Sequence, residues 1–305
     1  MTKKLLFIIP FLVLGIIISL ILMMVLAKPD EVEGYIPPKD TPKQNILEVH
    51  FVNMKRNDAI IIRTNEHVIV IDGGTYYQGD IITEYLKKLN ITHIDYLIGS
   101  HLHFNHIPAH AKILKNFNVD KMIYAQDPRT CFELKYCDPE DTVYILEEIN
   151  NRNKEITIWQ ARDEFEIGKM HIKVIGPLEE YILDGEYYYP QNINSLNFIL
   201  TFGDVRFLFT GDGMQEENIL KEFSEELKVD VFHFPHHGED ELGKKLIKLI
   251  SPKYIIETNR TNELMNNNKN TGDLLIEAGA KIFYYEDNRS IIFKTDGTNL
   301  TYERR

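Results

Sequence analysis

The sequence predicts a mixed α/β (α+β) fold, with two β-sheets packed together and helices on their outer sides, four strata in all. Three observations lead there. Short β-rich runs, ILEVHFV, AIIIRT and HVIVID, follow one another with only turns between them, as neighbouring antiparallel strands do. After Gly73 and Gly74 helical periodicity takes over in IITEYLKKL and keeps returning between later strands. A second β-rich group, ITIWQA, MHIKVIG, SLNFILTF and VRFLFTG, then repeats the pattern.

At 305 residues the chain fits one α/β domain of roughly 200 to 250 residues with an appendage. Leu5 to Leu26 carry no charge, and at about 1.5 Å per residue such a run crosses a ~30 Å hydrocarbon core. Lys3 and Lys4 precede it while Asp30, Glu31 and Glu33 follow, so the positive-inside bias leaves the N-terminus in the cytoplasm. The expected organisation is a single-pass anchor over residues 1–28 in the cell membrane, a Pro- and charge-rich linker over 29–45, and an extracellular domain over 46–305. The alternative is a signal peptide cleaved near Val25 and Ala27, which would leave the domain secreted.

The two cysteines, Cys131 and Cys137, either close a small loop in an oxidising compartment or remain free thiols. A net charge of −12, from 46 acidic and 34 basic residues, argues against strong nonspecific DNA binding. It does not exclude a phosphodiester substrate, because an active-site metal supplies positive charge locally.

Along the domain, strand IDYLIGS leads into a His-rich loop, a helix near Pro108 to Phe117, strand KMIYAQ and a helix around Tyr144 to Asn151. SLNFILTF and VRFLFTG are joined at Gly203 and Asp204, a hairpin signal. Helix MQEENILKEFSEEL, strand VDVFHF, helix LGKKLIKLI, strand KYIIET, helix DLLIEAG and a hairpin from KIFYYED to SIIFKT complete the reading, and Asn266 to Asn270 read as a loop.

Seven of the eleven histidines fall in two stretches, SHLHFNHIPAH (His101, His103, His106, His110) and HFPHHG (His233, His236, His237). The first follows a strand directly, where a loop can aim alternate side chains at one point. Imidazole is the commonest side-chain ligand for zinc, and its short bonds require donors that converge from a preformed backbone. Asp212 in TGDG ends another strand, with small neighbours that let its carboxylate reach the same cleft. His50, His67, His93 and His171 stand singly and read as surface or hydrogen-bonded residues. His110 reads as lying behind a ligand or at the surface, and His233 can face either way. Tyr76, Tyr77 and Tyr187 to Tyr189 could line a cleft or simply pack.

Taken in order, NDAIIIRT with HVIVIDGG, IDYLIGSHLHFNH, NINSLNFILTFGDVRFLFTGDG, VDVFHFPHHG with SPKYIIET, and GAKIFYYEDNRSIIF resemble the metallo-β-lactamase superfamily. They look most like the ComEC-type competence hydrolase domain, over roughly Ile46 to Thr295. The resemblance implies a four-layer αββα sandwich with metals at the strand-end edge. His101 and His103 would hold the first metal and His106 the second, Asp212 would bridge, and His236, preferred slightly, or His237 would complete the second site. Asp72 is either a turn residue or a carboxylate supporting a histidine ligand.

This chain departs from that pattern. Asn105 replaces the aspartate of H-x-H-x-D-H, which weakens a second zinc site because a neutral amide offsets a dication less than an anion does. Asn194 and Ser195 stand where other superfamily members carry a histidine, as an asparagine-serine stretch does in ComEC-like domains, so this difference is typical of that group. The late histidine of ComEC-like domains gives way to Asn266, Asn267 and Asn268, and the early Gly-Gln-Gly-Asp reads Lys55, Arg56, Asn57 and Asp58. One zinc ion, or two, would still support hydrolysis, with Asp212 as ligand and proton acceptor and Asn105 or Asn194 donating to an oxyanion. The resemblance points to nucleic acid or another phosphodiester as substrate. A binding module that has lost turnover is the competing expectation, and β-lactam hydrolysis ranks last.

Overall fold

The computed structural model describes residues 45–133, 139–178 and 190–305. The expected anchor, and the linker except for its last residue, lie outside the described residues, as do Cys137 and Tyr187 to Tyr189. Among the described residues no helix is long and apolar enough to cross a membrane. Cys131 is buried and disulfide-bonded.

The described residues begin with an antiparallel meander of β1 (Leu47–Phe51), β2 (Ala59–Arg63) and β3 (Val68–Asp72). Helices then carry it from strand to strand: α1 (Gly79–Lys88) to β4 (His93–Gly99), α2 (His110–Asn116) to β5 (Asn118–Tyr124), and α3 (Pro139–Asn151) to β6 (Ile156–Ile158). These strands pair in parallel, since a crossover returns the chain to the end from which it set out.

The second half repeats the scheme. β7 (Glu164–Ile167), β8 (Met170–Gly176), the one-turn α4 (Pro190–Ile193), β9 (Asn197–Phe202) and β10 (Val205–Phe209) supply the meander. α5 (Glu216–Phe223), α6 (Lys244–Ile250), α7 (Glu263–Asn266) and α8 (Lys269–Glu277) lead to the parallel β11 (Val231–His233), β12 (Tyr254–Ile256) and β13 (Lys281–Phe283). β14 (Ile291–Thr295) and β15 (Leu300–Arg304) finish the chain. One sheet runs β15-β14-β1-β2-β3-β4-β5-β6, the other β13-β12-β11-β10-β9-β8-β7.

Three separate apolar layers hold these pieces together. Ile60, Ile62, Phe207 and Phe209 pack between the sheets, whereas Ile61 meets Ile82 and Ile113 of the first helix layer and Leu208 meets Ile219 and Leu246 of the second. Strands covered on both faces need apolar side chains at odd and even positions alike, which is why AIIIR and VRFLF show little alternation. Three cores between successive layers make the αββα sandwich.

The expected hairpin from KIFYYED to SIIFKT does not form: β13 edges the second sheet, while β14 pairs with β1 in the first, Phe51 opposite Ile291. Burial decides this, because the intervening Tyr285 is 1 % exposed and packs in the layer between the sheets. The Asn-rich stretch is not a loop throughout; it is divided between α7 and α8, and buried Asn268 donates from Nδ2 to Gly238 O at 2.9 Å. β7 and β15, short and half exposed, had no clear sequence signature.

Gly99 ends β4 against the fully buried ring of Tyr124, and a Cβ there would stand 2.9 Å from Ile107 Cγ2 and nearer still to that ring. Gly99→Ala should therefore cost about 2 kcal/mol through overpacking, read as a lower urea midpoint. An unchanged midpoint would show that the ring can yield.

Candidate metal centre

Each sheet changes from antiparallel to parallel pairing after one strand, β3 in the first and β10 in the second. The loops leaving the carboxyl ends of the strands at these changes carry the histidine clusters and the acidic residues, as expected of ligand sites in such sheets.

Asp72, the last residue of β3, adopts a left-handed backbone with φ 56. Its carboxylate accepts from Ser100 N at 2.8 Å and Ser100 Oγ at 2.7 Å, and from His106 Nδ1 at 2.8 Å. With its Nδ1 proton on Asp72, the His106 ring turns Nε2 toward Asp212 Oδ2, 3.1 Å away. Asp72 thus sets the tautomer and orientation of His106.

Asp212 follows Gly211, whose φ of 53 and missing Cβ let the loop close to within 2.8 to 2.9 Å of Ser100 and Ser195 side-chain atoms at the Cβ position. Asp212 N donates to Ser195 Oγ at 3.1 Å. Its oxygens stand 3.7 Å from His101 Nε2 and 3.7 Å from His237 Nε2, while His103 Nδ1 lies 3.0 Å from His101 Nε2. Asp212 Oδ1 and His106 Nε2 are buried without a hydrogen bond. Imidazole and carboxylate donors that share an ion at ~2.0 to 2.2 Å end up about 3 to 4 Å apart, so the chemistry and spacing of this set fit a divalent cation.

Charge is strongly coupled here. Burial pushes His101 well below the ordinary imidazole range, with the neighbouring His106 adding to it, and burial takes His103 down to about 4. Both rings are therefore neutral and keep lone pairs for ligation. Burial alone would lower His106 too, but the Asp212 and Asp72 carboxylates outweigh it and hold the ring well above its usual value. Asp212 meets the opposite balance: burial would raise it, yet the surrounding imidazoles, His106 foremost, keep it well below the carboxylate range.

The structure adds Asp58, which sequence reasoning had treated only as part of an altered segment. It is 1 % exposed. Oδ1 lies 3.3 Å from His233 Nε2 and 3.4 Å from His237 Nδ1, and Oδ2 lies 3.8 Å from His106 Nδ1. Asp58, Asp212 and His237 form one potential ligand group, and His101, His106 and Asp212 another.

Residues 55–254 match the family model of the metallo-beta-lactamase superfamily. This chain belongs to the metallo-beta-lactamase superfamily. A protein of Methanocaldococcus jannaschii described as a metallo-hydrolase is 27 % identical over 198 residues, 64 % of this chain and 93 % of that protein. A structure from Parabacteroides distasonis described as a metal-dependent hydrolase is 16 % identical, covering 78 % of this chain and 92 % of that one at a TM-score of 0.46. A variant of the β-hydroxylase CmlA aligns at a TM-score of 0.51 and 10 % identity, over 81 % of this chain and 53 % of that one, a likeness of fold alone.

Two consecutive left-handed residues, His236 at φ 51 and His237 at φ 54, separate the rings of the superfamily's second histidine cluster in this chain. His236, part-buried, pairs with Asp240 at 2.8 Å. It is His237, not the slightly preferred His236, whose Nε2 faces Asp212. His237 Nδ1 donates to Thr258 Oγ1 at 2.9 Å, and the Asn105 amide donates to Nε2 at 3.0 Å. Asn194 is buried on the turn before β9, where its neighbour Ser195 supplies the hydroxyl for Asp212 N. His110 is buried against Tyr124 OH at 2.8 Å. His50, His67, His93 and His171 each pair with a carboxylate, Glu48, Asp95, Asp120 and Glu164.

Behind His237, Glu257 is fully buried and accepts from Glu263 N and Leu264 N at 2.8 and 3.3 Å. Burial pushes its carboxyl up from 4.5 to about 8. Between those values the folded protein keeps a proton that the unfolded chain releases, so the contribution of Glu257 to stability is fully present below about pH 4.5 and declines as pH rises toward 8. Glu257→Gln should remove that decline and be more stable at pH 8 by about 4 kcal/mol. Urea titrations at pH 5 and pH 8 test it; an equal offset at both would refute the assignment.

Proposed function

We propose that this protein is a metal-dependent hydrolase that cleaves phosphodiester bonds, a ComEC-like enzyme held by residues 5–26 on the outer face of a cell membrane. One observation carries the hydrolase reading: three imidazole nitrogens, from His101, His106 and His237, surround the Asp212 carboxylate at 3.1 to 3.7 Å. Mixed imidazole and carboxylate donors suit zinc, and also iron, the metal named in the description of CmlA from Streptomyces venezuelae. When bound, such an ion supplies Lewis acidity and makes an attacking water available near neutral pH.

The chain's own residues do the rest. His101 and His103, both neutral, bind; Asp72 orients His106; Asp212 binds and accepts the proton of the attacking water. The Asn105 amide, on the same side as His237, donates to the charge that develops on a phosphoryl oxygen, and buried Asn194 is held for the same task. The five ordered motifs shared with ComEC-type domains support the substrate class, and the uncharged run with lysines before it supports the anchor.

A binding module without turnover is the second reading. It is favoured by the Asn105 amide, which sits on His237 Nε2 where a carboxylate would instead attract a second cation. The test is a metal titration of the full chain with Zn²⁺ and Fe²⁺, followed by hydrolysis of bis(p-nitrophenyl) phosphate beside the Asn105→Asp variant. Turnover by the natural chain supports the enzyme. Turnover only in Asn105→Asp establishes the module.

A further inference from the structure

The altered segment Lys55 to Asp58 does more than carry Asp58 into the centre. It lies in the loop between β1 and β2, closed at its base where Val52 N donates to Ala59 O at 2.9 Å. Asn57 Nδ2 donates to Met54 O at 3.1 Å and to Gln78 Oε1 at 2.5 Å, which fixes the loop to the first half of the chain. The loop then reaches the second half in two places. Inside, Asp58 Oδ1 stands 3.4 Å from His237 Nδ1 and 3.3 Å from His233 Nε2. Outside, Arg56 Nη2 meets both carboxylate oxygens of Glu239, at 2.5 and 2.6 Å.

These contacts join the same two backbone segments, since Arg56 is two residues before Asp58 and Glu239 two residues after His237. The inner distances are longer than the ~2.9 Å of a strong N–H···O bond, so the inner joint alone holds loosely. On the far side the turn is stiff: Glu239 N donates to His236 O at 2.9 Å, and Asn268 Nδ2 donates to Gly238 O at 2.9 Å. The place of Glu239 is therefore passed on to His237. The segments that carry the ligand candidates, 53–58, 72–78, 100–106, 210–215 and 233–241, contain no Lys or Arg except Lys55 and Arg56, so within them few cations could take over the role of Arg56.

We infer that Arg56 and Glu239 form an outer clamp on the metal centre, positioning residues that keep His237 beside Asp58 and Asp212 and so slow the loss of a bound ion. The clamp rests on the metal-binding reading and not on turnover. Arg56 is 59 % exposed and Glu239 26 %, and exposed charges are screened by salt. Ion retention thus becomes sensitive to ionic strength, a property that the buried ligand candidates alone would not confer.

The test loads the full chain with Zn²⁺ and follows ion loss to an excess of chromogenic chelator at about 50 mM and about 500 mM KCl, where screening differs severalfold. Glu239→Gln and Arg56→Gln should each lose the ion about threefold faster than the natural chain at the lower salt, and that ratio should fall toward one at the higher. Exchanging the charges, Arg56→Glu with Glu239→Arg, should restore slow loss, which a merely structural role of either side chain would not allow. Lys87→Gln, which breaks the exposed pair with Glu84 on α1, should match the natural chain, with circular dichroism confirming the fold of each. Equal loss from Glu239→Gln and the natural chain at the lower salt overturns the inference, as does a ratio that salt leaves unchanged or an exchanged pair as fast as the single variants. A natural chain that takes up no ion removes the metal reading and the clamp together, whereas equal rates in a loaded chain remove the clamp alone.

Discussion

Asp212→Asn should lower metal affinity by at least about a hundredfold and turnover by roughly a thousandfold. The substitution preserves shape and removes one negative charge from the middle of His101, His106 and His237. The carboxylate is the anion that both potential ligand groups containing it share, so its loss weakens each at once. An amide also lacks the basicity to take a proton from water. Metal content after gel filtration, and competition with a chromogenic chelator, read the first effect; the initial rate on bis(p-nitrophenyl) phosphate reads the second. If Asp212→Asn retains a full complement of metal, the centre lies elsewhere.

Asp58→Ala should act mainly on stability, by about 3 kcal/mol. His233 Nε2 has Asp58 as its partner, and His233 Nδ1 is buried without a hydrogen bond, so truncation leaves a buried ring unsatisfied at both nitrogens. His237 keeps Thr258 but loses the carboxylate beside its Nδ1, which should weaken metal binding by about tenfold or more. A thermal melt and the same chelator competition separate the two effects. An unchanged melt would mean that water fills the space and satisfies both rings.

Most of the centre was readable because its residues are dense in the sequence and follow strands: His101, His103, His106 and TGDG could be named from spacing alone. Asp58 could not. It is a single aspartate after an altered segment, and its partner His233 is 175 positions away, so only the docking of two sheets makes them neighbours. The choice between His236 and His237 was equally closed to sequence, since nothing in the residue pattern foretells two left-handed residues in succession, and these decide which ring meets Asp212. The αββα layering was visible in the order of strands and helices. The placement of β14 was not, because a hairpin and a crossover between sheets share the same local pattern of two apolar runs; the burial of Tyr285 between the sheets, with β14 paired to β1, tells them apart only in the fold.

The repeated scheme of meander followed by helix-linked parallel strands divides the residues of the centre between two lengths of chain. Asp58, Asp72, His101, His103 and His106 come from the first, Asp212, His233 and His237 from the second. Asp58, Asp72 and His106 gather within the first length, whereas both groups built on Asp212 draw on the two lengths together. A nascent chain that has emerged only through β6 therefore lacks Asp212 and His237, so neither group built on Asp212 can form until the later sheet docks. The Asp212 groups are thus products of the docked sheets, complete only once the two halves are one body.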